Sequence, residues 1–503
     1  MMLTLLCAIP LVGGLLTFWL RDRLIATGFA LATLAVGIVA ALRYDYGATG
    51  MQLTESHTWI EELGVSWSLG VDGLGLLMVL LTVAIVPIVL IAAWDADAHF
   101  FAWALLLQSA ALVAFCATDL FVFYVFFEAT LIPAYFLIGR FGNGAAAGRA
   151  ALKFLMFQLA GGLVLLGSVV ALYGYSAASD GGPSFALDDL AALDLSTTAG
   201  RWIFAGFMVA FVVKAPLFPL HTWLADTTQH ATPATSVLLV CVLDKIGTFG
   251  MLRFCLGLFP EASDWATPVV IALALISIVY GAFLAIGSDD LLRLIGLTSL
   301  SHFGVITLGI FVWSTPGAAG SVLYMVNHGV ATAGMFLAAG FLIKRTGTAS
   351  IREMGGLELK VPLLAGLFLV SGLAACGLPG LSQFVSEIMV LIAAYSYSWW
   401  VAAIATTGVV LSAIYVLWAY QRIFTGPAAE PAAVIEGDRE VAPMRDLNRR
   451  EAGVMATLTV ALVVFGFGPQ LLLEVANPYV EQVMSHAGVS DPVPAVDPVE
   501  GDH

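Results

Sequence analysis

Glu128, Lys214, Lys245, His302, His328 and Glu387 each interrupt an apolar run about twenty residues long. If those runs cross a bilayer as helices rising about 1.5 Å per residue, most of the six fall roughly ten residues from a helix end and share a depth near the midplane. A charged side chain there costs about 2.5–3.5 kcal/mol on insertion scales. A single such residue is explained as readily by a buried ion pair, and Asp244 beside Lys245 is the obvious candidate. Neighbouring helical residues point to different faces, however, so Asp244 is poorly placed to neutralise Lys245. Six acids, lysines and histidines at one depth fit proton relay. Burial and a nearby carboxylate poise a lysine between its charged and neutral forms, so that a moving partner can switch it.

The backbone around these residues is unusual as well. Lys214-Ala215-Pro216-Leu217-Phe218-Pro219-Leu220-His221 places two prolines in mid-span, and Gly377-Leu378-Pro379-Gly380 interrupts a later one ten residues before Glu387. Proline removes an intrahelical hydrogen bond and clashes with the preceding turn. Irregular backbone at membrane depth survives only where protein or a wet cavity covers it. Paired breaks in corresponding spans, each near a charge, point to an internal repeat with ion sites at its centre. His221 either continues the wet path or caps the broken backbone. His302 has the hydroxyls of Thr298, Ser299 and Ser301 within about a turn. His328, after Asn327, relays protons or merely bridges helices. His230, at a span edge, is expected to be solvated, and Lys153 to snorkel to the interface.

The elements that must position these groups are membrane helices. Of 503 residues, 60% are hydrophobic and only 11% charged, and mean hydropathy is +0.95. A soluble domain carries about 25% charged residues. We read fourteen spans at 1–20, 24–42, 71–94, 99–117, 119–139, 150–175, 202–224, 231–257, 265–287, 290–313, 318–343, 361–397, 399–422 and 452–475. The twelfth is long enough to be broken. Residues 44–70 read as a polar loop, and 425–451 as the longest hydrophilic connection. The expected domains are 1–98 (three N-terminal spans), 99–258 and 259–424 (five-span repeats of spans 4–8 and 9–13), and 425–503 (an inner loop, span 14 and an outer tail). Five is odd, so the second repeat is inverted relative to the first.

With both termini outside, the inner loops hold Arg21, Arg23, Arg140, Arg149, Lys153, Lys344, Arg345, Arg352, Lys360, Arg422, Arg439, Arg445, Arg449 and Arg450, leaving Arg43, Arg201 and Arg253 near the outer side. An odd span count would scramble that partition. The chain opens directly into a span without a basic leader, so no removable signal or transit peptide is expected.

The net charge of −15 comes mostly from loop acids such as Asp180, Asp188, Asp189 and Asp194 and from the tail Asp491 to Asp502. No basic patch invites nucleic acid. Cys7, Cys116, Cys241, Cys255 and Cys376 stand singly in apolar runs, which argues against disulfides, zinc and iron–sulfur clusters. The histidines lack metal-site spacing. No glycine-rich phosphate loop is present. Neither cofactor nor metal is expected, and any redox chemistry belongs to a partner.

The run Phe126-Phe127-Glu128-Ala129-Thr130-Leu131-Ile132-Pro133 resembles the fifth helix of the proton-pumping, antiporter-like subunits of respiratory complex I. Lys214 to Asp226 is the most specific match, and Asp244-Lys245, Ser299 to Gly304 and Asn327-His328-Gly329 follow in family order, covering roughly spans 3 to 13. The sister subunits and the multisubunit sodium/proton antiporter chains usually carry lysine where Glu387 stands. Glutamate is typical of the M type, the bacterial counterpart of NADH dehydrogenase subunit 4. The family usually continues Trp-Leu-Pro-Asp-Ala-His where this chain reads Trp223-Leu224-Ala225-Asp226-Thr227-Thr228. A lysine common near the start of span 10 is replaced by Leu292, with Arg293 beside it.

The resemblance implies an all-α polytopic fold with inverted five-helix repeats and membership of a proton-translocating NADH–quinone oxidoreductase. Glu128 and Lys214 would then form the coupling pair, Lys245 the central relay, His302 and His328 the lining of the path, and Glu387 the terminal carrier. The implied surroundings are a bacterial inner membrane, lipid and sister membrane subunits on both sides. The alternative is a subunit of a multisubunit cation/proton antiporter or membrane-bound hydrogenase.

Overall fold

The computed structural model describes residues 1–427 and 444–491. Arg439 and the acidic tail beyond Asp491 lie outside the described residues. Among the described residues, twelve helices are long and apolar enough to cross a membrane. They are span 1 (Met2–Leu20), 2 (Arg23–Arg43), 3 (Gly73–Ala92), 4 (Ala98–Cys116), 5 (Leu120–Phe141), 6 (Ala147–Ala177), 8 (Pro233–Leu256), 9 (Pro260–Ile286), 10 (Leu291–Phe311), 11 (Thr315–Thr346), 13 (Trp399–Phe424) and 14 (Arg449–Phe467). Two further crossings are broken: span 7 into 7a (Thr197–Lys214) and 7b (Thr222–His230), and span 12 into 12a (Pro362–Ala375) and 12b (Ser382–Tyr397). Fourteen spans therefore follow the expected order, with the expected breaks.

Aspartates set where several spans begin. The side chains of Asp22, Asp72, Asp97, Asp119 and Asp290 each accept a backbone N–H in the first turn of the helix that follows. This satisfies donors that have no intrahelical partner. Spans 8 and 10 are buried along their whole length, whereas spans 2 and 14 turn most of their surface outward. The outward residues are large and apolar, among them Trp202, Leu152, Phe283 and Ile392, as a lipid-facing surface requires.

The inverted repeat is visible in backbone hydrogen bonds that occur twice. Ahead of span 5, Asp119 forms a β-bridge with Ala186, and ahead of span 10, Asp290 forms one with Ser350. Leu120 N–H donates to Phe185 O and Leu291 N–H to Ala349 O, each at 2.9 Å. The two broken spans repeat each other too. Leu217 N–H reaches back five residues to Val212 O (3.2 Å), and Leu378 N–H does the same to Leu373 O (3.0 Å). A tight turn follows in both, Leu220 N–H to Leu217 O at 2.7 Å and Leu381 N–H to Leu378 O at 3.0 Å. Five spans separate the copies, so the matching ends face opposite sides of the bundle.

Two expectations need correction. Residues 44–70, read as a polar loop, contain regular structure. β1 (Gln52–Ile60) and β2 (Val65–Val71) form an antiparallel hairpin with Glu55 opposite Leu69 and His57 opposite Trp67. Alternation in Val65-Ser66-Trp67-Ser68-Leu69 is the signal for it. The hairpin covers the start of span 5, where Ser66 N–H donates to Asp119 Oδ2 (2.9 Å) and Trp67 packs edge-on against Phe126. The last span ends at Phe467 rather than near 475, because Gly468-Pro469 starts a separate helix, Gln470–His486. That helix folds back over span 3 so closely that a Cβ at Gly73 would lie 1.9 Å from Val475 O.

At the face opposite the hairpin, an ion-pair cluster joins the loop between spans 3 and 4 to the ends of spans 11 and 14. Lys344 Nζ lies 2.6 Å and Arg450 Nη2 3.0 Å from Asp95 Oδ2, while Arg345 Nη2 lies 2.5 Å from Glu451 Oε2. Glu451 also closes a capping box with Asn448 at the start of span 14. Hydrogen bonds from Arg450 and Lys344 hold the Asp95 carboxyl well below the usual carboxylate range. A depressed carboxylate stabilises the fold above its unfolded value and loses that contribution only as pH falls through the folded one. Thermal stability of wild type relative to Asp95→Asn should therefore stay constant from neutral pH to about pH 4 and converge below it. Convergence already near pH 6 would contradict this.

Candidate functional site

Lys214 and Lys245 sit where helix geometry gives way, and Glu387 reaches back to a second break from within 12b. In span 7, Pro216 and Pro219 lack N–H groups, and the displaced Leu217 N–H leaves Val213 O without its usual donor. The Trp223 indole N–H fills that role (3.1 Å), and Phe218 N–H turns to Ser277 Oγ on span 9 (2.9 Å). Lys214, the last residue of 7a, is fully buried at this break. Its Nζ donates to Thr130 Oγ1 (2.9 Å) and Phe127 O (3.3 Å) and stands 4.3 Å from the Phe127 ring centre.

Glu128, on span 5, is not in ion-pair contact with Lys214, on span 7; Lys214 is held instead by Phe127 and Thr130, which flank Glu128. The Glu128 carboxylate lies over span 6 in a space left by Gly162, where an added Cβ would fall 1.7 Å from Oε1. That oxygen is buried and receives no hydrogen bond from the described residues.

Span 8 winds unevenly. Leu239–Leu243 and Met251–Leu256 are π-helical, flanking a six-residue α segment, Lys245–Gly250. Single π turns inside α-helices occur frequently at functional sites. Lys245 Nζ lies 2.7 Å from His328 Nδ1 on span 11, and 4.4 Å from the Phe303 ring centre on span 10. Either nitrogen can be the donor, depending on which holds the proton. The His328 and His302 rings cross at 5.1 Å, and Tyr415 Oη on span 13 lies 3.2 Å from His302 Nε2. His328 Nε2 and His302 Nδ1 are buried without partners among the described residues. Such atoms are ordinarily met by ordered water.

Glu387 on 12b closes the row. Its carboxylate lies against Gly377 at the second break, where an added Cβ would be 2.1 Å from Oε2, and Gly377 has φ +71°, a conformation that favours glycine. Asn327 Nδ2 donates to Ser382 O at the start of 12b (2.6 Å), which ties span 11 to this break. The structure thus joins Lys245, His328 and His302 through direct contacts, with Lys214 and Glu128 at one end and Glu387 at the other.

His221 is not joined to the row. It stands at the N-cap position of 7b without a side-chain capping bond, buried beside Phe218 and Tyr280. Lys153 does not simply snorkel: its Nζ lies 2.6 Å from Asp226 Oδ2, and Arg293 Nη1 lies 2.9 Å from Asp226 Oδ1. His230 is half-buried and offers its carbonyl to Asn143 N–H (2.6 Å). Arg253, assigned by sequence to the outer side, is buried against Asp72 with Nη2 2.7 Å from Oδ1, beside Tyr479 of the C-terminal helix. Tyr415, Thr130 and Gly162 escaped sequence reasoning because each is an ordinary residue inside an apolar run.

Among the described residues, no group of three or more histidines, cysteines or acids could hold a metal ion. Gly162→Ala should push the Glu128 carboxylate aside, costing about 1–3 kcal/mol as overpacking. Thermal melts of the single variant and of Gly162→Ala/Glu128→Ala check this. The double variant should recover most of the loss, and equal melting of both would contradict the geometry.

The family described as NADH:quinone oxidoreductase/Mrp antiporter, TM, matches residues 117–414. NADH-quinone oxidoreductase subunit M of Mycobacterium tuberculosis (strain ATCC 25618 / H37Rv) is 43% identical, with 98% of this chain and 96% of that one covered. F(420)H(2) dehydrogenase subunit M of Methanosarcina mazei is 32% identical over 96% of this chain and 98% of the relative. A chain of respiratory complex I from Thermus thermophilus superposes with TM-score 0.89 at 34% identity, covering 97% of this chain and all of that one. A chain of the Mrp complex from Dietzia sp. DQ12-45-1b shares the fold, with TM-score 0.84 at 23% identity over 97% and 98% of the two chains. Two inverted five-span units, each with a broken helix and a buried charge beside it, are thus the framework of a member of the NADH-quinone oxidoreductase subunit M family.

Proposed function

We propose that this chain is a proton-translocating, non-redox membrane subunit of an NADH–quinone oxidoreductase. The observation that carries the reading is the contact series Lys245–His328–His302–Tyr415 in the bundle centre. Every member carries a group that can give and accept a proton. Glu128 and Lys214 feed the series from the first repeat (99–258), and Glu387 receives from the second (259–424). Lys214 is held by a hydroxyl and a carbonyl rather than a fixed anion, so its charge answers to whatever Glu128 does. Moving one charge across a membrane takes about 2.3 kcal/mol per 100 mV. A change of one or two pKa units in a buried group, about 1.4 kcal/mol each, exchanges energy of that order.

His221 lies at the first break as a lining group of the wet approach. The inner face is the one bearing the Asp95 cluster, where lysine and arginine gather, and both termini are outside a bacterial inner membrane. Sister membrane subunits on both sides and lipid are the partners, and protons the cargo. Glutamate rather than lysine at position 387 favours this reading over a cation/proton antiporter subunit.

NADH-driven acidification of inverted membrane vesicles tests the reading. Lys214→Met and Glu387→Gln should leave the complex assembled and NADH oxidation present, while pumping is lost or cut severely. Full pumping in both variants would make the buried charges structural.

A further inference from the structure

We infer that Asp244 is a proton-carrying member of the axis, standing between Lys214 and Lys245. The inference rests on the proposed proton translocation and adds a residue to it. Asp244 has no solvent exposure, and neither carboxylate oxygen receives a hydrogen bond from any described residue. A carboxylate kept only to neutralise a neighbouring lysine would be expected in contact with it. Here both lysines have other partners: Lys214 bonds Thr130 and Phe127, and Lys245 bonds His328.

The winding of span 8 aims the two adjacent residues at different neighbours. Asp244 shares a face with Gly247, whose N–H donates to Asp244 O at 3.1 Å. Gly247 packs directly on the first break, where an added Cβ would lie 2.5 Å from Ala215 N, the residue after Lys214. The Asp244 face therefore looks toward Lys214. Lys245, about 100° further round the helix, points instead to span 11. The π segment Leu239–Leu243 ends with Asp244 N–H donating to Leu239 O at 2.9 Å. It adds one residue ahead of the pair and fixes which way each points. Asp244 lies within electrostatic reach of both lysines.

The chemistry balances without another reactant. The Lys214 ammonium gives a proton to the Asp244 carboxylate, leaving a neutral amine and a carboxylic acid. The acid passes the proton to the Lys245 amine, restoring the carboxylate and forming the ammonium that faces His328. Each transfer goes directly or through one water molecule, an ordinary bridge between polar groups too far apart to bond. Ionised, Asp244 offsets one ammonium, and a second positive charge in the same dry region would be repelled. The carboxylate thereby favours one mobile proton on the pair of lysines at a time.

The test uses the complete complex in inverted vesicles, with Asp244→Asn, Asp244→Glu and Lys214→Met compared for protons pumped per NADH oxidised. A positioned proton-transfer group contributes about 10²–10⁴-fold in rate. Asp244→Asn should therefore assemble and oxidise NADH but pump fewer protons per NADH, while Asp244→Glu keeps most of the pumping. A turnover-linked carboxyl C=O band in infrared difference spectra should be present in wild type, vanish in Asp244→Asn and move in Asp244→Glu. Wild-type pumping by Asp244→Asn, with pumping lost in Lys214→Met, would overturn this inference alone. Wild-type pumping by Lys214→Met and Glu387→Gln would instead overturn the function on which it rests. If Asp244→Asn does not assemble, the glutamate variant decides, and an unchanged carboxyl band there also overturns the inference.

Discussion

An ammonium group withdrawn from water must be met by protein, and the way this chain meets its two central lysines governs the rest of the fold. Among the described residues, close ion pairs stand away from the two central lysines: Arg253 with Asp72, Arg345 with Glu451, Lys153 and Arg293 with Asp226. At the centre, Lys214 and Lys245 are met by a hydroxyl, a carbonyl, an imidazole and two aromatic faces. Such partners hold a lysine without fixing its charge, because a hydroxyl or imidazole nitrogen serves as donor or acceptor. Breaking a buried arginine–carboxylate pair costs about 3–5 kcal/mol, which suits struts and not carriers. The division of labour follows from residue chemistry.

The same backbone solution is used twice in opposite orientations. Both broken spans release a carbonyl through a five-residue bond, turn tightly on a leucine and resume as a half-helix. Broken helices put polar backbone at mid-membrane depth, which only neighbouring protein can cover. Spans 8, 10 and 11 supply that cover, and their near-total burial is the consequence. What differs is the chemistry placed at each break. The first carries Lys214 beside a hydroxyl, the second Glu387 over a bare glycine.

Sequence made much of this legible, because hydrocarbon imposes a strict code. A charge or a proline inside a twenty-residue apolar run stands out, so the six axis residues and both breaks could be read directly. The repeat followed from the spacing of those breaks. What stayed hidden depends on three-dimensional proximity. Gly162 matters only because a carboxylate rests on it, and Tyr415 only because His302 faces it; the carboxylate over Gly377 is equally invisible in sequence. The hairpin was lost in a segment judged by polarity instead of alternation. Arg253's buried pairing is invisible in sequence because its partner, Asp72, caps a span 181 positions away. Winding defects such as the π turns of span 8 leave no composition signal at all.

Those π turns bear on more than direction. Each stores one residue beyond what an α-helix of the same height would hold, and they bracket a single short rigid segment carrying Lys245. A surplus residue handed from one turn to the other would swivel that segment by about 100° while both ends of the helix stayed in place. Span 8 is thus built like an axle between two slack couplings. It has the geometry to present its lysine to one neighbour or another without any shift of the bundle around it.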